Sequence, residues 1–218
     1  MNIYFLSLAE SYSIGIAATI GLVRFRQLHE SYRPFIYICC LAFLNEIIST
    51  VTAQLFRNNA VNLNLYVLAE CFLFLWQFYN WGGFRLSKNS YYRLCTFLLL
   101  IWVVDNFFLN SIFIINSLFR IVYSFTLIFL AINQVNRMIL NRREALLKDA
   151  RFLICMGIII FYSYKAFFET FYLLKLNFSD QFYNLIHLVL EVVNLVVNLI
   201  FAFAVLWIPK RQKFLLPF

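Results

Sequence analysis

Charged residues are scarce in this sequence. They make up 13% of its 218 residues, whereas a soluble domain usually has about 25%. Hydrophobic residues make up 63% of the chain, and the mean hydropathy is +0.79. So few polar side chains cannot cover the surface of a water-soluble globule. The composition therefore predicts an integral membrane protein, whose partner is the lipid bilayer. The length predicts a single domain over residues 1–218.

The sequence also lacks the motifs of common catalytic and metal sites. Its two histidines, His29 and His187, are far apart, and no CxxC motif occurs, so we expect no metal and no cofactor. The five cysteines lie in apolar segments, which is typical of small buried side chains. No GxSxG, HExxH or glycine-rich phosphate loop is present, and the last apolar segment has no lysine that could bind retinal. These absences disfavour an enzyme and leave no candidate catalytic residue. The missing lysine excludes a retinal pigment.

Seven apolar segments are long enough to cross a bilayer as helices, which takes about 20 residues each. They are residues 3–23, 34–56, 61–84, 92–109, 116–136, 152–173 and 184–208. Two Asn-Ser pairs, at 110–111 and 116–117, separate the fourth segment from the fifth. Pro34 suits the start of the second helix, Gly82-Gly83 the end of the third, and Pro209 the end of the seventh. The sequence thus predicts an all-α bundle of seven transmembrane helices.

The basic residues are distributed unevenly between the two sets of connecting segments. Fourteen follow the first, third, fifth and seventh helices, while Arg57 and Lys175 lie on the other side. The positive-inside rule then predicts an outer N-terminus and a cytoplasmic C-terminus, in a multi-pass protein of the cell inner (plasma) membrane. The net charge of +8 is explained by this topology, so nucleic acid is not an expected partner.

The longest basic loop, 137–151, is predicted to extend the fifth helix. It is either a solvated helix on the lipid surface or a docking site for a cytoplasmic signalling partner.

Acidic residues inside the predicted spans are the strongest functional signal. An Asp, Lys or Arg at the bilayer centre costs about 2.5–3.5 kcal/mol, yet six of the ten acidic residues fall within spans, together with two bases. Except for Glu46, which is near the midplane, they lie towards the outer half, which predicts a cavity open to the exterior. The excess of four acids requires that some are neutral or that a cation lies among them.

Helical spacing places further polar residues on the same faces as these charges. Asn184, His187, Glu191, Asn194 and Asn198 follow one stripe of the seventh helix. Tyr66, Glu70, Gln77 and Asn80 share a face of the third, and Tyr162, Lys165, Glu169 and Tyr172 share a face of the sixth. Lys165 and Glu169 are expected to form an i, i+4 pair. We predict a ligand- or proton-binding site composed of Glu10, Glu46, Glu70, Asp105, Arg120, Lys165, Glu169, His187, Glu191, Asn194 and Asn198.

A competing interpretation is that these side chains only join helices through hydrogen bonds, each worth about 0.6 kcal/mol. Helices 1–3 and 5–7 also share an orientation, which allows a 3+1+3 parallel duplication. In such a repeat, Glu46 corresponds to Glu169 and Glu70 to Glu191.

Three stretches, Asn58-Asn59, the run from Asn64 to Glu70, and the run from Gln77 to Phe84, resemble small bacterial seven-helix inner-membrane proteins. These are similar to the seven-helix sensor modules that are fused to signalling domains. The resemblance covers the whole chain and implies a sensor. Our first expectation is therefore a non-enzymatic sensor or accessory module that binds a ligand, proton or cation in an outward-facing acidic cavity. A proton-coupled transporter of a small polar solute is the second, and an intramembrane enzyme the third; an oligomer is compatible with each.

Overall fold

The computed structural model describes residues 3–84, 88–141, 146–174 and 179–211. This described part is 86% helical and contains no strand, which makes the protein all-α. Seven α-helices lie within it: α1 (Ile3–Arg24), α2 (Arg33–Phe56), α3 (Ala60–Asn80), α4 (Lys88–Val103), α5 (Ser117–Asn141), α6 (Ala150–Leu173) and α7 (Asp180–Trp207). Their bounds lie within about four residues of the predicted segments, except that α4 ends at Val103 and α5 extends five residues further.

Six of the helices form a ring that largely follows the chain order. α1 packs against α2 and α7, α2 against α3, α5 against α6, and α6 against α7. The ring closes where α3 meets α5 directly, so α4 lies outside the ring, against both of them. This places α1–α3 and α5–α7 around one interior with α4 as the peripheral linker. A duplication that relates α1–α3 to α5–α7 stays a prediction from the sequence.

Local chemistry explains where the helices begin and end. Pro34 occupies the first turn of α2, where its missing N–H would have no helical partner. After α3, Gly82 adopts a φ of 75°, and the N–H of Gly83 donates to the Phe78 carbonyl at 2.8 Å, which satisfies a terminal carbonyl. Asp149 accepts from the Arg151 N–H as the N-cap of α6. Gly82-Gly83 and Pro34 therefore act as predicted, and α7 ends at Trp207, two residues before Pro209.

The fourth helix departs from the predicted regular span. At Val104 it changes to a π-helical turn that runs to Leu109. The wider turn coincides with a change of exposure: Asp105 and Asn106 are buried, whereas Phe107, Phe108 and Leu109 face outwards. Asn116 then donates to Asn106 Oδ1 at 3.0 Å. The two Asn-Ser pairs do separate α4 from α5, and their asparagines stabilise the connection.

The outer surface of the bundle is apolar. Val23, Phe108 and Leu140 are each more than three-quarters exposed, and exposed leucine, isoleucine, valine and phenylalanine side chains continue along every helix whose side chains are described. A surface of this kind is unstable in water. Six helices have the length and hydropathy of membrane spans, covering Glu30–Phe56, Ala60–Asn80, Asn89–Leu109, Ser117–Leu140, Ala150–Leu173 and Gln181–Trp207. The fold is therefore that of a helical membrane protein.

The loops that carry most of the basic residues meet at one end of the bundle. Backbone hydrogen bonds join the α1–α2 loop to the segment after α7, from His29 N to Pro209 O at 3.0 Å and from Arg211 N to Gln27 O at 2.7 Å. Arg24 donates to the carbonyls of Val205 and Leu206 at 2.7 and 2.6 Å. A cation at the C-terminus of a helix also interacts favourably with the helix dipole. This end, which we call the basic end, is therefore closed by specific contacts.

Further contacts reinforce the basic end. Gln77 on α3 accepts from the Phe35 N–H at 2.8 Å and donates to the Ser31 carbonyl at 2.6 Å. Arg137 on α5 donates to the Gly82 carbonyl at 2.8 Å. Of the predicted docking loop 137–151, residues 142–145 lie outside the described residues, and the described part extends α5 to Asn141 as expected.

Candidate binding cavity

A cavity of about 190 Å³ with charged and amide side chains in its wall lies in the interior of the ring. It is lined by residues from α1, α2, α3, α5, α6 and α7. Six of the eleven predicted site residues line it: Glu46, Glu70, Arg120, Lys165, Asn194 and Asn198. Two more contact a lining residue: Glu10 accepts a hydrogen bond from Asn194, and Glu169 pairs with Arg120. The volume far exceeds the 10–15 Å³ that one water requires, but it is smaller than the 300–1,000 Å³ typical of drug-sized ligands. The cavity therefore has room for a small solute.

Glu70 is the centre of a hydrogen-bonded network that joins α3, α5 and α6. Its Oε1 accepts from the Tyr66 hydroxyl at 2.6 Å, and its Oε2 accepts from the Tyr123 hydroxyl at 2.7 Å. The Lys165 ammonium donates to the Tyr123 oxygen at 2.8 Å and lies 3.9 Å from Glu70 Oε2. All the members of this network have little solvent exposure, so it forms a compact, nearly neutral wall of the cavity.

Aromatic rings surround the ammonium of Lys165. Its nitrogen lies 5.3–5.4 Å from the ring centres of Tyr123, Phe161 and Tyr162, within the range of cation–π attraction. Together with Glu70, these rings replace the water that the charge loses on burial. The expected i, i+4 pairing of Lys165 with Glu169 is therefore replaced by a pairing between helices, because the lysine side chain turns towards α3.

Glu169 pairs with Arg120 instead. Arg120 Nη1 lies 3.6 Å from Glu169 Oε1, and the Ser117 hydroxyl donates to Oε2 at 2.5 Å. Arg120 is only 7% exposed, and its Nε and Nη2 atoms are buried without a hydrogen-bond partner. An unpaired buried donor is costly, which makes this guanidinium the least satisfied group in the wall of the cavity.

The wall opposite Arg120 and Lys165 carries carboxyl and amide side chains. Glu46 and Asn45 line the cavity from α2. Glu10, on α1, interacts electrostatically with Glu46 and accepts from the Asn194 amide. Deeper in the bundle, the Asn198 amide donates to the Ser13 hydroxyl at 2.8 Å. The cavity thus has cations on its α5–α6 side and carboxylates on its α1–α2 side.

Three predicted site residues lie outside this cavity. Asp105 is fully buried, and its carboxylate accepts from the Phe119 N–H at 2.8 Å and from the Asn110 amide at 3.0 Å. It therefore caps the first turn of α5, a role that the π-helical turn makes possible. Glu191 lies 3.4 Å from His187. Of the predicted stripes, Asn80, Tyr172 and Asn184 are exposed, since each lies near a helix end.

His187 belongs to a second recess near the start of α5. This outer recess has a volume of about 480 Å³, and it is also lined by Glu169, Ser117 and Asn116. Arg120 lines the inner cavity, whereas its partner Glu169 lines the outer recess. The Arg120–Glu169 ion pair therefore lies between the two spaces.

Tyr123 is the main site residue that the sequence analysis missed. It occurs in the apolar run of α5, where a tyrosine is easily read as a core residue. The available signal was its spacing from Arg120, because residues three apart share a helix face. Its hydroxyl connects Lys165 to Glu70, so it links the two charged helices.

No family model, curated protein or solved structure matches this chain. The resemblance to small bacterial seven-helix proteins therefore stays an expectation from the sequence.

Proposed function

We propose that the chain is a multi-pass protein of the cell inner membrane with seven spanning helices, an outer N-terminus and a cytoplasmic C-terminus. Six spans have the required length and hydropathy. α1 supplies the seventh, since it packs along both α2 and α7. The basic end is formed by the described parts of the four segments that together hold fourteen of the eighteen basic residues in the sequence, which supports its placement in the cytoplasm.

In this membrane, the protein acts as a non-enzymatic sensor that binds a small polar solute in the cavity. The main support is the cavity itself, where Glu46, Glu70, Arg120 and Lys165 line one space inside an apolar bundle. Ionisable groups at this depth are expensive and usually mark a functional path or site. Contacts between helices are enough to explain the buried ion pairs. They do not explain why an open cavity lies between those pairs.

The contacts at the basic end favour a sensor over a transporter. A transporter must open its binding site to both sides of the membrane in turn. Here the route towards the basic end is blocked by the edge-to-face pair of Phe35 and Phe201, whose ring centres are 5.1 Å apart. Beyond it lie the hydrogen bonds of Gln77 and Arg24. A sensor uses such a closed end to pass small helix shifts to a cytoplasmic partner.

The partner surface that we propose lies around the end of α5. Leu140 is 84% exposed and Leu147 69% exposed, and both belong to the basic loop 137–151. Exposed leucines beside basic residues suit either the lipid surface or a protein with an acidic, partly apolar face.

A proton-coupled transporter is the second candidate. It is favoured by the chain of proton-bearing groups from Lys165 through Tyr123 to Glu70 and Tyr66, with contacts of 2.6–2.8 Å between successive groups. Such a chain can move a proton between helices without large motion of the backbone.

Thermal unfolding of the full chain in lipid nanodiscs tests the binding function. The panel comprises amino acids, carboxylates, amines, sodium and potassium salts, and a pH series. A solute at 100 times its Kd should stabilise the protein by about 2.7 kcal/mol. The variant Ala42→Phe fills the cavity, since Ala42 lines it, and should abolish the response. Ala53→Phe is the matched control, because Ala53 lies on the exposed face of the same helix.

The same panel separates the candidate functions. A solute that stabilises the wild type and Ala53→Phe, but not Ala42→Phe, supports a binding cavity. Equal responses of the two variants under every condition, or no response at all, contradict it. Any stabilising solute is then assayed for uptake in proteoliposomes: binding without uptake supports the sensor, and accumulation supports the transporter.

A further inference from the structure

One edge of the Arg120 guanidinium is left without a partner. Nη1 faces Glu169, while Nε and Nη2 are buried with no hydrogen bond. Nε and Nη2 donate from the same side of the planar group, and a carboxylate accepts from such an edge through two parallel hydrogen bonds. Because Arg120 lines the cavity, an occupant that reaches the guanidinium can accept these two hydrogen bonds.

The other cation in the cavity is already satisfied. Lys165 has the Tyr123 oxygen, the Glu70 carboxylate and three aromatic rings around its ammonium. An anion entering the cavity therefore gains most at Arg120. The outer recess is lined by Glu169, the partner of Arg120, so an anion that enters from this recess meets the ion pair first.

On the opposite side, Glu46 presents a carboxyl group to the cavity. Among the described residues, no lysine, arginine or histidine lies within ion-pair distance of Glu46 or of its neighbour Glu10. Glu46 and Arg120 line the same cavity. An occupant with a single negative charge would pair with Arg120 but be repelled by Glu46. A simple amine would pair with Glu46 but be repelled by Arg120.

We propose that the cavity binds a small amino-acid-like zwitterion, with its carboxylate on the Nε–Nη2 edge of Arg120 and its ammonium at Glu46. The Asn45 and Asn194 amides line the space between and offer further hydrogen bonds. The volume of about 190 Å³ limits the side chain to a few heavy atoms. This inference rests on the proposed binding function and names its ligand class.

Isothermal titration calorimetry on the full chain in nanodiscs tests the proposal. The probes are alanine, β-alanine and γ-aminobutyrate, compared with acetate, which lacks the ammonium, and methylamine, which lacks the carboxylate. At least one amino acid should bind tighter than both single-charge probes by roughly 10- to 100-fold, the range that one charged hydrogen-bonded contact supplies. This comparison uses the wild type and needs no variant to fold.

Two conservative variants then assign the two charges. Arg120→Lys keeps a cation but loses the two-donor edge, and Glu46→Gln removes only the negative charge. Each should weaken amino-acid binding roughly 10-fold or more, and Glu46→Gln should leave acetate binding unchanged or improved. The matched controls are Arg93→Lys and Glu30→Gln, whose side chains lie at the basic end, remote from the cavity, with Glu30 paired to Arg211. Both controls should bind like the wild type.

The outcomes separate this inference from the proposed function. If acetate, methylamine or a metal cation binds best, or if Arg120→Lys keeps full affinity for the amino acid, the zwitterion proposal is overturned while a binding cavity remains. If no probe binds and Ala42→Phe behaves like Ala53→Phe throughout, both proposals fail.

Discussion

At the scale of single residues, the role of an acidic side chain depends on its neighbours. Glu70 accepts from two phenols beside a buried ammonium, so its charge belongs to the cavity. Asp105 accepts from a backbone N–H and an amide, so its charge stabilises the start of α5. Both positions look alike in the sequence, because each is one acid in an apolar run. Only the partners distinguish a site residue from a helix cap.

The first prediction concerns Asp105. Asp105→Asn keeps the shape of the side chain but replaces one acceptor oxygen with a donor amide, which then faces the Phe119 N–H or the Asn110 amide. The loss should lower the free energy of unfolding by about 1–3 kcal/mol, while solute binding by the folded protein should not change. Reversible unfolding in mixed detergent–SDS micelles measures the stability.

Asp149→Asn is the matched control, since asparagine is about as good an N-cap as aspartate and Asp149 caps α6. It should lower the stability less than Asp105→Asn does. If Asp105→Asn leaves stability unchanged but weakens solute binding, Asp105 belongs to the site after all and the role assigned to the π-helical turn is wrong.

At the scale of helices, packing contacts determine how wide the cavity is. Gly157 on α6 faces the Phe201 ring on α7: a Cβ at this glycine would lie 2.4 Å from Phe201 Cε1. Phe201 in turn lines the cavity and packs on Phe35. The glycine therefore allows α6 and α7 to approach closely, as small residues do at membrane helix contacts. It also gives the Phe201 ring room to lie beside the cavity.

The second prediction follows from this contact. Gly157→Ala should force the Phe201 ring aside and lower the free energy of unfolding by about 1–3 kcal/mol, the usual cost of overpacking. Adding Phe201→Leu should recover part of the loss in a double-mutant cycle. Gly15→Ala is the control, because its nearest neighbour is the half-buried Phe43 ring at 2.8 Å, which can turn towards the lipid. Equal losses for the two alanine variants would contradict the argument.

The helices themselves were largely predictable from the sequence, because hydropathy and the Pro34, Gly82-Gly83 and Pro209 signals act locally. The pairing of charges was not, since it depends on which helix faces which. Helical spacing suggested Lys165 with Glu169, whereas the ring order brings Lys165 to Glu70 and Arg120 to Glu169. The π-helical turn also escaped prediction, since nothing in the local sequence distinguishes it from a regular helix end.

At the scale of the whole molecule, the two ends of the bundle differ in chemistry. The basic end is joined by side chains that donate to backbone carbonyls: Arg24 donates to the Val205 carbonyl of α7, and Arg137 donates to the Gly82 carbonyl. The other end is joined by amides: Asn58 donates to the Phe113 carbonyl at 3.0 Å and Asn64 to the Ile114 carbonyl at 2.7 Å. Arginines at one end and neutral amides at the other give the bundle a chemical polarity from one end to the other.

The last prediction is the orientation that this polarity implies. A reporter that is active only in the cytoplasm should work when fused after Asn141 or Arg211, and should fail when fused after Phe56 or Leu174. The physical reason is that arginines and lysines near the ends of spans are retained on the cytoplasmic side during insertion. A second reporter, active only outside the cytoplasm, should give the opposite pattern at the same four positions and so controls for fusions that simply fail to fold. The reversed pattern for both reporters would place the outer recess with His187 in the cytoplasm. Solutes would then reach Arg120 from inside the cell, and the protein would sense an internal rather than an external ligand.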